Sequence, residues 1–187
     1  MAVPDMNVAT LPEVPRTAPQ VPGFLHDHIV TFEETNLVGN VYYTNYVRWQ
    51  GTCRELFLIE HAPEILSDLA TQRLLLHTSS VSCEFLSDRG LSAGERVRIQ
   101  MRLKELRGGR LTLQFEYYRL PVDGAAELVA RGEQALCSKH RAANGSVVAC
   151  VLPAPLLRAL LPFSPNAAVR ARIEEGLAFL VGEGGQT

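Results

Sequence analysis

The stretch that most constrains the fold is Phe32 to His61, where a short loop leads into one long apolar helix. Apolar side chains recur there every three to four residues, which predicts a helix from about Tyr42 or Asn45 to Glu60. The helix ends there because Pro63 disfavours the helical backbone in the residue before it. The apolar repeat is carried by two rows: Trp49, Cys53 and Leu56, and Tyr43, Val47 and Leu58.

Strand patterns lie on both sides of this helix, where apolar and β-branched residues alternate with polar ones. The segment Ala62 to Thr71 separates the helix from the later strands and is predicted to be a short helical turn and linker. Ser146 to Leu152 either continues the last strand or forms a short extra one. The predicted strands are Phe24 to Glu33, Leu74 to Leu86, Glu95 to Arg107, Arg110 to Pro121, and Ala125 to Arg141.

Turn sequences join the later strands as hairpins. Gly108-Gly109, Asp123-Gly124 and Asn144-Gly145 all tolerate the positive φ that tight hairpin turns require. A strand, one long helix and then four hairpin-linked strands predict an α+β domain, with the helix packed on one face of an antiparallel sheet. Gly51 inside the helix costs about 1 kcal/mol relative to alanine. Either a close approach of the helix to the sheet explains this glycine, or it is incidental.

The chain divides into three predicted parts. Residues 1–23 contain five prolines and no apolar periodicity, which predicts a flexible tail. Residues 24–162 form the predicted domain, which closes with a short helix at Pro153 to Leu161. Residues 163–187 are a C-terminal helical extension. Its amphipathic run, Asn166 to Val181, is expected to dock on the domain, to meet a partner or to cap a neighbouring subunit.

Composition excludes several classes of protein. Hydrophobic residues make up 47% of the chain, which is enough for one good core, and the formal net charge of -2 gives no case for nucleic acid. No apolar run is long enough to span a membrane, and the N-terminus lacks the pattern of a signal peptide. The four cysteines are widely spaced, so buried free thiols in a reducing compartment are expected. The sequence therefore predicts a cytoplasmic protein.

The loop before the helix carries a recognisable motif. Asn36 to Tyr46 has the form D/N-x-x-G-x-V-x-x-x-x-Y after a strand and before a hydrophobic helix, and it resembles the 4-hydroxybenzoyl-CoA thioesterase branch of the hotdog-fold superfamily. The longer string Thr35 to Glu55, TNLVGNVYYTNYVRWQGTCRE, is similar to the thioesterases of enediyne polyketide biosynthesis. The resemblance implies a single hotdog domain, in which a long central helix is wrapped by a five- or six-stranded antiparallel sheet.

The resemblance also implies which residues form the site. Many relatives have an aspartate at the first motif position, but here it is Asn36, whose amide can neither abstract a proton nor form an acyl anhydride. In the enediyne thioesterases the residues that match Asn36 and Arg54 are associated with activity, and the one that matches Tyr46 borders the site. The backbone N–H groups from Gly39 through Asn40 to Val41 are candidates for binding an anionic oxygen. No metal and no cofactor are expected.

Structural roles are the alternatives for these residues. An asparagine before a helix, such as Asn36, is often an Asx-turn or cap residue. The alternative for Arg54, which lies on a mostly apolar face, is a structural ion pair with Glu84 or Glu33 across an interface. Glu33 and Glu34 are alternative general bases, because they lie within three residues of Asn36.

The remaining polar residues of this region are expected to be ordinary. His26 and His28 lie on one side of a strand, yet no second pair of ligands with a recognisable spacing follows, so ordinary histidines at a sheet surface or interface are favoured over a metal site. Arg48 shares a helix stripe with Thr52 and Glu55 and is expected to face solvent or a carrier-protein surface.

These inferences together predict an acyl thioesterase. Its expected substrate is a β-ketoacyl polyene on the acyl carrier protein of an iterative polyketide synthase, and the released β-keto acid can lose CO₂. A single hotdog leaves an open sheet edge, so a homodimer or homotetramer with the site at the interface is expected. The rivals are a general acyl-CoA thioesterase of the same fold, acting on a small-molecule acyl thioester, and a non-catalytic acyl-binding hotdog protein that shields a polyene.

Overall fold

The computed structural model describes residues 22–183 and has the predicted order of helices and strands. The helices are α1 (Tyr43–His61), α2 (Leu66–Ala70), α3 (Ala154–Leu160) and α4 (Ala167–Glu183). The strands are β1 (Phe24–Ile29), β2 (Leu74–Phe85), β3 (Arg96–Arg107), β4 (Arg110–Leu120), β5 (Glu127–Arg141) and β6 (Val147–Ala149). The short extra strand is therefore the correct alternative for the segment after Ser146.

The strands form one antiparallel sheet in the order β1-β3-β4-β5-β2, and β6 pairs with the end of β5. Alternate residues of each strand face α1, since successive side chains of a strand point to opposite faces. On β3, for example, Val97, Ile99 and Leu103 are fully buried, and they share one core with Cys53 and Phe57 of α1. The curled sheet around a long helix is a single hotdog domain, as predicted.

The first strand is shorter than predicted. β1 ends at Ile29, and Phe32–Glu34 forms a 3₁₀ turn where extended structure was expected up to Glu33. The cause is the carboxylate of Glu34, which turns back and accepts from the backbone N–H of Thr31 at 2.8 Å and from its hydroxyl at 3.0 Å. These bonds fix a tight turn that an extended chain cannot make.

The expectation of four buried cysteines is wrong, and the structure favours the incidental reading of Gly51. Only Cys53 is buried, whereas the other three free cysteines are half-buried, because they lie on strands or loops nearer the edge of the core. Burial raises the pKa of Cys53 to about 12, so this thiol is unreactive. A Cβ placed on Gly51 would have no other atom within 4 Å, so the sheet does not approach this glycine closely within the chain.

The C-terminal helices complete the core. α4 packs against α3 and β3, and Val169 and Ile173 are buried in the same cluster as the sheet. The predicted tail of residues 1–23 lies outside the described residues except for its last two. The domain limits stay a prediction. No helix in the described part of the chain is both long and apolar enough to cross a membrane.

Candidate active site

The turn before α1 is built around the side chain of Asn36. Its Oδ1 accepts from the N–H of Val38 at 3.0 Å and from that of Asn40 at 3.2 Å, which is an Asx turn. The chain reverses at Gly39, whose φ of 86° suits glycine. Because a backbone N–H only donates, the oxygen of the Asn36 amide must face the turn. The Nδ2 group has no partner in the described part of the chain and is free to donate.

The three predicted backbone donors are already engaged. Gly39 N–H donates to the carbonyl of Asn36 at 2.9 Å, Asn40 N–H donates to Asn36 Oδ1, and Val41 N–H donates to the carbonyl of Leu91 at 2.7 Å. None of the three has a second hydrogen to offer a bound anion. Asn40 and Val41 nevertheless line the cleft beside the turn. Because their N–H groups are engaged, Asn40 and Val41 have their side chains to offer to a molecule in the cleft.

A cleft of about 300 Å³ lies between this turn, the start of α1 and the loop after β2. Among the described residues that line it, none is a carboxylate, histidine, cysteine or lysine, and the one charged side chain is Arg89, which pairs with Glu95. A reaction in this cleft therefore has amide, hydroxyl and aromatic groups to work with. The lining is Asn36, Asn40, Val41, Tyr42, Tyr43, Tyr46, Phe85, Ser87, Arg89, Gly90 and Val129.

Tyr46 forms the aromatic floor of the cleft. Its side chain is buried, and its ring centroid lies 5.0 Å from that of Phe85 and 5.3 Å from that of Tyr117. The backbone carbonyl of Tyr46 accepts from the Tyr117 hydroxyl at 2.7 Å, which ties α1 to β4. Burial raises the pKa of Tyr46 to about 12, so its hydroxyl stays neutral near pH 7. Tyr46, which the resemblance predicts to border the site, lines this cleft.

The two candidate bases have different surroundings. The carboxylate of Glu34 is buried and accepts from Thr31, from Trp49 Nε1 at 2.7 Å and from His28 Nε2 at 2.9 Å. Burial by itself raises the pKa of Glu34, but the donors from Thr31, His28 and Trp49 outweigh it and lower the pKa from 4.5 to about 2. Glu34 therefore holds no proton near neutral pH and is a poor base. Glu33 is exposed.

Arg54 lies about three helical turns after Tyr43, the first residue of α1, and its side chain points at the sheet. Its Nη1 donates to Gln134 Oε1 at 2.8 Å and to Thr78 Oγ1 at 3.1 Å. Its nearest carboxylate is the exposed Glu55, at 3.9 Å. Burial lowers the pKa of Arg54, and the charge of Glu55 acts against this. In the described chain neither of the predicted glutamate partners pairs with it.

Sequence reasoning missed the two partners of Arg54. Thr78 lies where the pairing of β2 with β5 shifts register, and this bulge aims its hydroxyl inward. Gln134 is 4% exposed on the inner face of β5, between Gly132 and Leu136. A polar residue at an inward position of a predicted strand was the available signal, but the sequence does not say which helix residue it meets.

A second, much smaller cavity lies beside Arg54. It has about 10 Å³ of free volume, and its other lining residues are all apolar: Phe57, Leu58, Leu76, Leu111, Leu113, Leu136, Leu156 and Leu160. It shares no residue with the cleft. Arg54 lies about three helical turns beyond Tyr43, and at about 5.4 Å per turn this places it roughly 16 Å further along α1. Within one chain, Asn36 and Arg54 therefore line separate cavities.

Arg48 has the exposed surroundings that the sequence predicts. Arg48, Thr52 and Glu55 form an exposed stripe on α1. His28 binds Glu34, and its ring lies 4.9 Å from that of Trp49. Within residues 22–183 no group of three or more histidine, cysteine or carboxylate side chains is placed to hold a metal ion.

Comparison with known proteins extends this description. The structure of the dynemicin thioesterase, studied for polyene binding, is 40% identical to the chain, covers 78% of it and 99% of its own length, and has a TM-score of 0.70. A thioesterase-superfamily protein from Jannaschia sp. CCS1 (24% identity, 80% and 89% coverage, TM-score 0.66) shares the fold. The 4-hydroxybenzoyl CoA thioesterase from Pseudomonas sp. strain CBS-3 also shares the fold, with 18% identity, coverage of 74% of this chain and 99% of that one, and a TM-score of 0.62. No protein-family model and no curated protein matches the chain.

The curled sheet around a long helix defines this chain as a hotdog protein. The 40% identity to the dynemicin thioesterase, over nearly all of that protein, narrows the assignment from the fold to a family. The chain belongs to the family of hotdog-fold thioesterases and is a thioester hydrolase. This excludes the non-catalytic alternative and leaves the choice of substrate open.

Proposed function

We propose that this enzyme hydrolyses a β-ketoacyl polyene thioester on the acyl carrier protein domain of an iterative polyketide synthase. The proposal is supported by the likeness to the dynemicin thioesterase, which binds a polyene. The observation that carries it in this chain is the free amide of Asn36, at a cleft whose described lining has no acidic or basic catalyst. Such a cleft suits a thioester that is already electrophilic, and a β-keto group makes it so.

In this proposal Asn36 Nδ2 donates to the thioester carbonyl oxygen. Negative charge develops on that oxygen as water adds to the carbonyl carbon, and a donor held in place stabilises this charge more than the neutral carbonyl. The C–S bond then breaks, the sulfur leaves as a thiolate, and the proton released by the attacking water neutralises it. Thiols have a pKa of about 8.5, so this leaving group needs no general acid. The β-keto acid can then lose CO₂ and leave a methyl ketone.

Arg54 is proposed to bind the keto oxygen or the developing carboxylate. Its side chain is only 19% exposed, and its two hydrogen-bond acceptors are neutral. A buried cation without a buried anion is an expensive arrangement, so an anionic oxygen of the substrate would be stabilised beside it. The guanidinium offers several donors in a fixed plane.

The proposed site is built from two copies of the chain. Within one copy, Asn36 and Arg54 line two separate cavities that share no residue. β2 is a long edge strand, and a second copy would cover its open side. At the turn, Leu37 is 104% exposed and Val38 is 78% exposed, which also favours a covering partner. Light scattering at micromolar concentration should give a dimer or tetramer, and an active monomer would contradict the shared site.

The substrate is tested by comparing three thioesters under multiple turnover: a β-ketoacyl group on the carrier protein, the same group on CoA, and a plain acyl group on CoA. The proposal expects the highest kcat/KM for the carrier-bound substrate and a lower kcat for the plain acyl group. Equal kcat/KM on the plain acyl-CoA would favour the general acyl-CoA thioesterase. The β-keto comparison tests the chemistry, and the carrier comparison tests the partner.

A further inference from the structure

Glu34 is a buried carboxylate two residues before Asn36 that the proposed reaction does not use. Its side chain is 5% exposed and accepts from Thr31 N–H at 2.8 Å, Thr31 Oγ1 at 3.0 Å, Trp49 Nε1 at 2.7 Å and His28 Nε2 at 2.9 Å. An ionised carboxylate only accepts, so His28 Nε2 carries the hydrogen. The donors come from β1, from the residue before the 3₁₀ turn and from α1, so one carboxylate joins three parts of the chain.

The main chain of Glu34 adds one bond to the residue before α1 and one to its first turn. Its carbonyl oxygen accepts from the N–H of Tyr42 at 2.8 Å and from Asn45 Nδ2 at 2.8 Å. Directly after Glu34, Thr35 pairs with Val41 in a β-bridge that closes the Asn36 turn at its base. The base of the turn is therefore attached to the helix through Glu34.

The bonds that Asn36 itself makes are local. All of them stay within residues 36–40, so they shape the turn but do not place it relative to α1. The N–H of Val41 donates to the carbonyl of Leu91 in the loop before β3, and this bond pairs Asn40 with Ser92 in a β-bridge. In the described chain, the hydrogen bonds that join the base of the turn to α1 are therefore those of Glu34.

We propose that Glu34 is the positioning residue for Asn36: it holds the base of the turn against α1 so that the Asn36 amide meets the thioester carbonyl. The inference rests on the proposed role of Asn36. A donor to a developing oxyanion loses most of its effect when it is displaced by about 1 Å, because the hydrogen bond must fit the transition state. Glu34 acts through Asn36 and does not touch the substrate.

Glu34→Gln is the test variant, because it keeps the size of the side chain and removes one accepting oxygen. The glutamine NH₂ group then faces donors, so at least one of the bonds from Thr31, Trp49 or His28 is lost. Glu64→Gln is the matched control: Glu64 is exposed on another 3₁₀ turn, Pro63–Ile65, far from the cleft. Trp49 is the one tryptophan of the chain, so its single indole N–H resonance in ¹H–¹⁵N NMR reports directly whether the bond to Glu34 has changed.

The expected result is a kcat about tenfold lower in Glu34→Gln, with KM within about twofold of wild type and the control unchanged. The decisive measurement is the double variant. If Glu34 acts through Asn36, adding Glu34→Gln to Asn36→Ala lowers kcat by less than about twofold, because the positioned donor is already gone. A merely structural role for Glu34 would lower the melting temperature and leave kcat per folded molecule unchanged.

The outcomes separate the two hypotheses. Asn36→Ala with wild-type kcat would overturn the role of Asn36 and this inference with it. A reduced kcat in Asn36→Ala together with a wild-type kcat in Glu34→Gln would overturn the role of Glu34 alone. A further tenfold loss of kcat when Glu34→Gln is added to Asn36→Ala would do the same. If Glu34→Gln does not fold, Asn45→Ala takes its place: it removes the bond to the Glu34 carbonyl, and kcat should fall a few-fold without further loss on the Asn36→Ala background.

Discussion

Replacing Asn36 by aspartate or by alanine should separate the structural task of this residue from its chemical one. Its Oδ1 accepts the two turn hydrogen bonds at 3.0 and 3.2 Å, whereas its Nδ2 group is free in the described chain. Aspartate keeps an acceptor for the turn and loses the donor. Alanine loses both.

The two tasks predict different magnitudes. Two exposed turn bonds contribute about 1 kcal/mol to the free energy of unfolding, so Asn36→Ala should be destabilised by about that amount. Asn36→Asp should be as stable as wild type, since a charged acceptor strengthens the turn bonds and lies near the start of α1. Both should lose about 10²–10³ in kcat, the usual effect of removing one oxyanion donor. Activity and stability should therefore not change in parallel.

Asn144→Ala is the matched control for this pair. Its Oδ1 accepts from the N–H of Ser146 at 3.0 Å and from the Ser146 hydroxyl at 2.7 Å, in an exposed turn far from the cleft. It should lose about as much stability as Asn36→Ala and keep its kcat. Urea unfolding gives the stability, and release of free thiol from a β-ketoacyl and a plain acyl thioester gives the rates.

The pH dependence of Asn36→Asp sharpens the test. A carboxylate beside a developing oxyanion repels it, but a protonated aspartic acid has an O–H to donate. The ratio of kcat for Asn36→Asp to kcat for Asn36→Ala should therefore rise as the pH falls below about 4, where an aspartate takes up its proton. An Asn36→Asp variant faster than wild type on both thioesters at neutral pH would refute the donor mechanism and indicate a former aspartate site.

Three further predictions concern other parts of the chain. Arg54→Ala should lower kcat/KM by about 10- to 100-fold, the usual effect of losing a hydrogen bond from a charged group, while Arg48→Ala on the exposed stripe stays within about twofold; equal effects would favour a structural Arg54. Because the pKa of Glu34 is lowered from 4.5 to about 2, its stabilisation is present above about pH 4.5 and is lost as the pH falls toward 2. Wild type should therefore lose about 3 kcal/mol more than Glu34→Gln over that range in urea unfolding, and equal losses would contradict it. Ile173 is fully buried, whereas Val181 is 78% exposed. Ile173→Ala should therefore cost about 2–4 kcal/mol and Val181→Ala at most about 0.5 kcal/mol; similar melting temperatures would show that α4 does not share the core.

The sequence by itself determined the structural features that depend on residues close together along the chain. The limits of α1 follow from its apolar period and from Pro63, and they agree with the structure to within about a turn. The hairpin at Gly108 follows from local turn chemistry, and this glycine has the expected positive φ of 57°. The Asn36 turn belongs to the same class, because its bonds join residues that are at most four positions apart.

Only the tertiary structure decided which side chains meet across the chain. Arg54 bonds to Gln134, which is 80 positions away, because the register of β5 and the bulge of β2 place that glutamine and Thr78 opposite α1. Glu34 is buried against Trp49, 15 positions away, although its neighbour Glu33 is exposed. Local sequence does not encode such pairs, since they depend on how strands register and on how the sheet curls around the helix. Those features are fixed by the packing of the whole core.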